Sequence, residues 1–123
     1  MSEESGFTKQ TGVAHVFAAY GYSMAGAKRL WGEQAFRHEV QAFVAGLVIL
    51  LIAGVGITRL LGFLVLMMLL FAVEALNTAV EEVIDRISPE ISTVGKHAKD
   101  LGSFAVFCIL VANGAYFLWA LFS

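Results

Sequence analysis

The chain has 123 residues, of which 59% are hydrophobic and 15% are charged. A soluble domain carries about 45–50% apolar and about 25% charged residues, and a chain this short has too much surface to bury such an excess. The composition therefore excludes a water-soluble globule, a disordered chain and a disulfide scaffold, and the net charge of −2 argues against a nucleic-acid partner.

The first 33 residues differ from the rest of the chain. They begin with the polar segment MSEESGFTKQ, which has no apolar stretch typical of a signal peptide. Apolar side chains then recur at helical spacing, at Val13, Val16, Phe17, Tyr20, Met24, Ala27 and Trp31. This pattern predicts a tail followed by an amphipathic helix that lies on a membrane surface.

Three long stretches follow that carry no charge, at residues 40–58, 60–73 and 101–123. A membrane-spanning helix needs about 20 predominantly apolar residues, and the second stretch continues as a helix-compatible segment rich in acids. We predict an all-α membrane protein with a single domain over residues 1–123. Its spanning helices are expected at 35–54, 58–87 and 96–121, with a loop at 88–95.

Basic residues indicate the orientation of these spans. Seven of the eight lie before the first uncharged stretch or between the second and third, and only Arg59 lies between the first and second. Loops rich in lysine and arginine stay in the cytoplasm. The N-terminus and the loop at 88–95 are therefore predicted to be cytoplasmic, and the C-terminus to be on the outer side.

The second predicted span carries a row of polar residues, namely Glu74, Asn77, Glu81 and Asp85. At helical spacing they share an arc of about 80°. Glu74 follows Arg59 by 15 residues, or roughly 22 Å of helix, which places it in the cytoplasmic third of the hydrocarbon. A charge at that depth costs about 3 kcal/mol, so the arc must face protein or water, and a homo-oligomer would provide that interior.

Further polar groups are expected at the same depth. Glu33 and Glu39 flank the start of the first span, and the third span begins with Lys99, Asp100 and Ser103. Several carboxylates with a lysine suit Mg²⁺ bound to phosphates. From the residues alone, three roles remain open: catalysis, an ion or proton path, and a structural polar seam.

The segments VEALNTAVEEVIDRI and AKDLGSFAV resemble the signature of the prokaryotic diacylglycerol kinases. GYSMAGAKRLW and EQAFRHE also look like the N-terminal region of that family, so the resemblance covers about residues 21–103. It implies a homotrimeric lipid kinase of the bacterial inner membrane that uses MgATP to convert diacylglycerol to phosphatidic acid. The pair Asp85-Arg86 is similar to the Gram-negative branch of the family rather than to its undecaprenol-kinase branch, and an undecaprenol kinase is the alternative.

The same resemblance implies roles for individual residues. Glu74 matches the proposed general base, and Asn77 a polar residue that supports it. The metal ligands would be Glu33 and Glu81. Other contacts to ATP would come from Tyr22, Glu90, Lys99 and Asp100. The lipid substrate would lie against Phe36, Arg37, Glu39, Glu74 and Ser103. Where the family has basic residues on its surface helix, this chain has His15 and Ala18.

Overall fold

The computed structural model describes residues 11–88, 90 and 92–123, and these form four α-helices without a strand among them. The helices are α1 (Gly12–Leu30), α2 (Gln34–Ala53), α3 (Ile57–Ile87) and α4 (Thr93–Phe122). The last three are long and apolar enough to cross a membrane. The predicted all-α membrane fold with an N-terminal helix is confirmed, and the three predicted spans fall on α2, α3 and α4.

The connections between the spanning helices are short. Gly54 ends α2 in the left-handed conformation, at φ 75°, which glycine adopts without the steric penalty of a side chain. Its N–H donates to the Leu51 carbonyl at 3.1 Å, and α3 begins three residues later. At the other end, the Ser92 hydroxyl caps α4 by accepting a hydrogen bond from the Gly95 N–H at 3.0 Å. These short turns make the successive spans antiparallel neighbours.

The buried core lies where α2, α3 and α4 meet and consists of Leu50, Phe63, Met67, Leu70 and Ala120. Phe63 is the centre of its aromatic packing. Its ring stacks on Phe43 of α2, with centroids 5.6 Å apart, and also meets Phe117 of α4 at 5.9 Å. Gly46 of α2 faces the same ring so closely that a side chain there would collide with it. The core therefore depends on the large Phe63 ring fitting into the space that Gly46 leaves.

The first turns of α3 are tied to the last turns of α4 by polar contacts. The Tyr116 hydroxyl donates to the Arg59 carbonyl at 2.8 Å, and Gly62 leaves the space that the tyrosine ring fills. The Arg59 guanidinium lies 4.4 Å from the centre of the Trp119 ring and donates to the Ala120 carbonyl at 3.1 Å. We call this part of the molecule the apolar end. We call the opposite part, where α3 ends, α4 begins and α1 meets α3, the charged end.

Most apolar side chains of the spanning helices face outward. Ile52 and Phe122, for example, are each about four-fifths exposed. On α1, Phe17 and Val13 are also exposed, and Leu30 is the one buried residue of that helix. These surfaces are suited to contact with lipid or with other chains rather than with water.

Candidate active site

The polar row of α3 leads from the buried interior to the surface. Glu74 is only 6% exposed, Asn77 and Glu81 are half-buried, and Asp85 is exposed. The four side chains lie at successive turns of one helix, as their spacing predicts. The arrangement gives α3 a graded path of polar groups that connects the membrane interior with the solvent at the charged end.

A second buried carboxylate stands beside the first. Glu39 of α2 is 9% exposed, and its carboxyl group contacts that of Glu74 across the interface between α2 and α3. The Glu39 Oε1 atom is buried and has no hydrogen-bond partner. Two adjacent buried carboxyl groups need a proton, a cation or a donor group between them, because an unpaired polar atom in a low dielectric is costly.

Asn77 belongs to the same interior. Its Oδ1 atom is buried without a hydrogen-bond partner and lies directly against Gly102 of α4, where any side chain would collide with it. Gly102 thus lets α3 and α4 approach each other beside the polar row. Sequence reasoning did not select Gly102, although a glycine within a helix, where it lowers stability, was a signal for a close approach.

Two lysines at the start of α4 form separate ion pairs. Lys99 Nζ lies 2.6 Å from Asp85 Oδ1, and Lys96 Nζ lies 2.7 Å from Asp100 Oδ2. The sequence left open whether Asp100 supports Lys99, and in the structure Asp85 has that position. Both pairs are exposed to solvent, so an incoming anion can reach them.

These pairs border a cavity of about 260 Å³ between the end of α3 and the start of α4. The Ser88 hydroxyl donates to Glu90 Oε2 at 3.2 Å on one side of it. The cavity is lined by Ile84, Asp85, Ser88, Glu90, Ser92, Gly95, Lys96, Lys99 and Asp100. Three of the residues predicted to contact ATP, namely Glu90, Lys99 and Asp100, therefore lie together.

A larger and mainly apolar cavity of about 550 Å³ separates α1 from α3. Its wall includes Gly26, Phe36 and Phe71, and the rings of Phe36 and Phe71 pack edge to face with centroids 5.2 Å apart. Arg37 turns away from it and donates to the Trp31 carbonyl at 2.7 Å. The cavity suits an acyl chain, since apolar surface favours apolar ligands.

Glu33 lies in the turn between α1 and α2, and its carboxylate accepts a hydrogen bond from an arginine. Arg29 Nη1 donates to Glu33 Oε2 at 2.8 Å, while Arg29 Nε donates to Glu82 Oε1 of α3 at 2.6 Å. The hydrogen bond with Glu33 and then that with Glu82 raise the pKa of the Arg29 guanidinium above its ordinary value. The sequence singled out Glu33, but neither Arg29 as its partner nor Glu82 as the second acceptor of Arg29.

Two of the predicted site residues are exposed and line neither of the two cavities. Tyr22 is 75% exposed on α1, and Ser103 is exposed on α4. Neither side chain makes a hydrogen bond within the part of the chain that the structure describes. One copy of the chain therefore does not gather all the predicted residues into a single pocket.

Mg²⁺ prefers oxygen ligands such as carboxylates, phosphates and water. No group of three or more histidine, cysteine, aspartate or glutamate side chains within residues 11–88, 90 and 92–123 is arranged to hold a metal ion. Mg²⁺ on a nucleotide needs only one or two protein carboxylates, because phosphates and water supply the other oxygens. Glu33 and Glu81 are carboxylates of the right kind, so the residues fit this mode of binding.

Comparison with known proteins identifies the family. The model of the family described as prokaryotic diacylglycerol kinase matches residues 21–121. The chain belongs to the prokaryotic diacylglycerol kinase family. The lipid-kinase family and enzyme class predicted from the sequence are therefore confirmed.

Individual relatives agree with this result. A diacylglycerol kinase from a Sinorhizobium species is 56% identical over 108 residues, which cover 88% of this chain and 79% of that protein. Diacylglycerol kinases from Haemophilus influenzae and Escherichia coli K12 are 39% and 38% identical. The alignments cover 86% and 91% of this chain, and 91% and 95% of those proteins.

Proposed function

We propose that this kinase transfers the γ-phosphate of ATP to the free hydroxyl of diacylglycerol, which yields phosphatidic acid and ADP. The family membership supports the reaction. The observation that supports the site best is the contact between Glu39 and Glu74, two buried carboxyl groups on spanning helices, one with an unpartnered oxygen. A lipid alcohol brings the missing hydrogen-bond donor to that depth.

The graded polar row explains how two unlike substrates meet. Diacylglycerol stays in the bilayer and ATP in the water, so the reaction requires a site that opens to both. Glu74 is buried while Asp85, three helical turns further on, is exposed beside Lys99. Alignment of the two reactants accounts for a large part of the rate of phosphoryl transfer.

Glu74 is proposed as the general base. The acceptor oxygen attacks the γ-phosphorus, its proton passes to the Glu74 carboxylate, and the bond between the γ-phosphorus and the β–γ bridging oxygen breaks to release ADP. Asn77, one turn away, would support Glu74 as a neighbouring polar residue, and Glu39 would border the glycerol moiety of the lipid.

The nucleotide would lie in the cavity between α3 and α4. Lys99 would leave Asp85 to offset charge on the phosphates, and Asp100, Glu90 and Tyr22 would contact the rest of the nucleotide. When bound to Glu33 and Glu81, Mg²⁺ would neutralise phosphate oxygens. Phe36, Arg37 and Ser103 would border the lipid.

We also propose a homotrimer in the bacterial inner membrane, with a cytoplasmic N-terminus and a periplasmic C-terminus. The distribution of lysine and arginine supports this orientation. Tyr22 and Ser103 are exposed and line neither cavity, which supports a site completed by a neighbouring subunit.

The test is transfer of label from [γ-³²P]ATP to lipid in mixed micelles that contain Mg²⁺. Diacylglycerol and undecaprenol are offered together, and the products are separated by chromatography. We expect labelled phosphatidic acid from the wild type and a loss of at least about 1,000-fold in Glu74→Gln, because the base is removed. Thr78→Val, a nearly isosteric change one turn away, serves as the control and should keep its activity.

Each result has a clear meaning. Label in the polyprenol alone would identify an undecaprenol kinase, and label in neither lipid would contradict the lipid-kinase proposal. Near-normal turnover by Glu74→Gln, with an unchanged elution volume in size-exclusion chromatography, would show that Glu74 is not the base.

A further inference from the structure

The contact between α1 and the spanning helices is confined to a small area. Leu30 is the one buried residue of α1, and the apolar residues before it are exposed. Arg29, next to Leu30, makes the side-chain hydrogen bonds that join α1 to α3 within the described residues. The position of the whole helix relative to α3 therefore depends on this one residue and its neighbour.

The Arg29 guanidinium bridges two carboxylates that are far apart in the chain. It donates through Nη1 to Glu33 Oε2 and through Nε to Glu82 Oε1, and Nη2 also contacts the latter oxygen. The planar guanidinium presents its donors in a fixed fork, so the position of Glu82 determines where Nη1 meets Glu33. Only one oxygen of Glu33 is engaged, which leaves Oε1 available to a further ligand.

The bridge lies beside a glycine in the turn between α1 and α2. A Cβ atom at Gly32 would lie 3.2 Å from the Arg29 carbonyl oxygen and 3.8 Å from Arg29 Nη1, and the latter is an ordinary contact distance. Arg29 and Glu33 lie four positions apart, so their hydrogen bond spans this turn. One guanidinium therefore connects α1, the turn and α3.

We propose that Arg29 is a positioning residue, which Glu82 anchors to α3 and which holds the Glu33 carboxylate in place to receive the metal–nucleotide. This inference rests on the proposed function, because it takes Glu33 to be a metal ligand. Glu82 follows Glu81, the other proposed ligand, directly in α3. The bridge therefore ties Glu33 to the helix that carries Glu81.

Metal binding gives the first test. Full-length protein in micelles is titrated with Mn²⁺ and β,γ-methylene-ATP, and free Mn²⁺ is measured by electron paramagnetic resonance. We expect Arg29→Gln and Glu82→Gln each to raise the dissociation constant about 10-fold, the lower end of the effect typical of losing a group that orients a metal ligand. The double variant should bind Mn²⁺ with the same affinity as the weaker-binding of the two single variants, because the two residues act as one unit.

Kinetics distinguish positioning from general damage. In both variants the KM for Mg²⁺ should rise about as much as the dissociation constant, while kcat at saturating Mg²⁺ stays within about twofold of wild type. Arg29→Lys should recover part of the affinity, because a single ammonium restores the charge but not the fork. Lys28→Gln, which removes the neighbouring exposed positive charge, is the matched control and should bind Mn²⁺ as wild type does.

A reporter close to the bridge monitors the helix itself. In a Trp119→Phe background, Trp31 is the sole tryptophan and lies two residues from Arg29. Loss of Arg29 should increase quenching of its fluorescence by acrylamide. Increased quenching with unchanged Mn²⁺ affinity would overturn the proposal, because Arg29 would then only anchor α1. Tighter Mn²⁺ binding would overturn it too, since Arg29 would be a competitor of the metal.

Glu33→Gln separates this proposal from the one on which it rests. If Glu33→Gln weakens Mn²⁺ binding and Arg29→Gln does not, the ligand assignment holds and the positioning role is wrong. If Glu33→Gln binds Mn²⁺ normally, the ligand assignment is wrong, and the role of Arg29 fails with it.

Discussion

The two ends of the molecule are stabilised in different ways. At the apolar end, three aromatic rings meet in the core, and Tyr116, Trp119 and Arg59 join α3 to α4. At the charged end, exposed ion pairs connect the helices, and such pairs contribute only about 0–1 kcal/mol each. Stability is therefore concentrated at the apolar end, and we expect charged groups at the other end to exchange partners when substrates bind.

The largest effect on stability is expected at the apolar end. Phe63→Ala should lower the free energy of unfolding by about 3 kcal/mol, because the neighbouring rings cannot move enough to fill the cavity that it leaves. Unfolding by SDS in mixed micelles, followed by circular dichroism, measures this change. Phe122→Ala removes an exposed ring and serves as the control. Equal losses in the two variants would contradict a core centred on Phe63.

The charged end should show the opposite behaviour. Lys99→Ala should reduce kcat/KM for ATP about 100-fold, or about 2.7 kcal/mol, because a charge that faces the phosphates is lost. The free energy of unfolding should change by less than about 1 kcal/mol, since the pair with Asp85 is exposed. Both quantities are measured on the same preparation. A large loss of stability with a small loss of activity would reverse the proposed division between the ends.

A smaller effect tests how closely α3 and α4 fit. Gly62→Ala should lower the free energy of unfolding by about 1–2 kcal/mol, because the added methyl group collides with the Tyr116 side chain and disturbs its hydrogen bond to Arg59. Gly114→Ala, which meets no heavy atom within 4 Å, is the matched control. It should leave stability unchanged or raise it slightly through helix propensity. A loss of stability in both variants would indicate that a backbone effect, and not the collision with Tyr116, is the cause.

Much of the fold could be predicted from single segments of sequence. Uninterrupted apolar runs are enough to indicate spanning helices, because the hydrocarbon core demands a fixed length. The shared face of Glu74 and Glu81 also followed from helical periodicity. These features depend on one helix at a time, and so a sequence without relatives still reveals them.

Contacts between helices could not be predicted in this way. Glu39 meets Glu74, and Arg29 meets Glu82 at a separation of 53 positions, because of how whole helices rotate and pack. Periodicity gives the face of each helix but not which face of its neighbour it meets. Glu82, which lies off the polar row, was for this reason not recognised as a partner of Arg29.

The unequal lengths of α2 and α3 have a consequence for the lipid environment. α2 has 20 residues and α3 has 31, or about 30 Å and about 46 Å of helix, against a hydrocarbon core of about 30 Å. Glu74 follows the start of α3 by 17 residues, or about 26 Å. When the start of α3 stays at the outer surface, a bilayer a few ångströms thicker therefore moves Glu74 further from the cytoplasmic headgroups. Hydrophobic mismatch would thereby act on the proposed base, and we expect turnover to depend on membrane thickness.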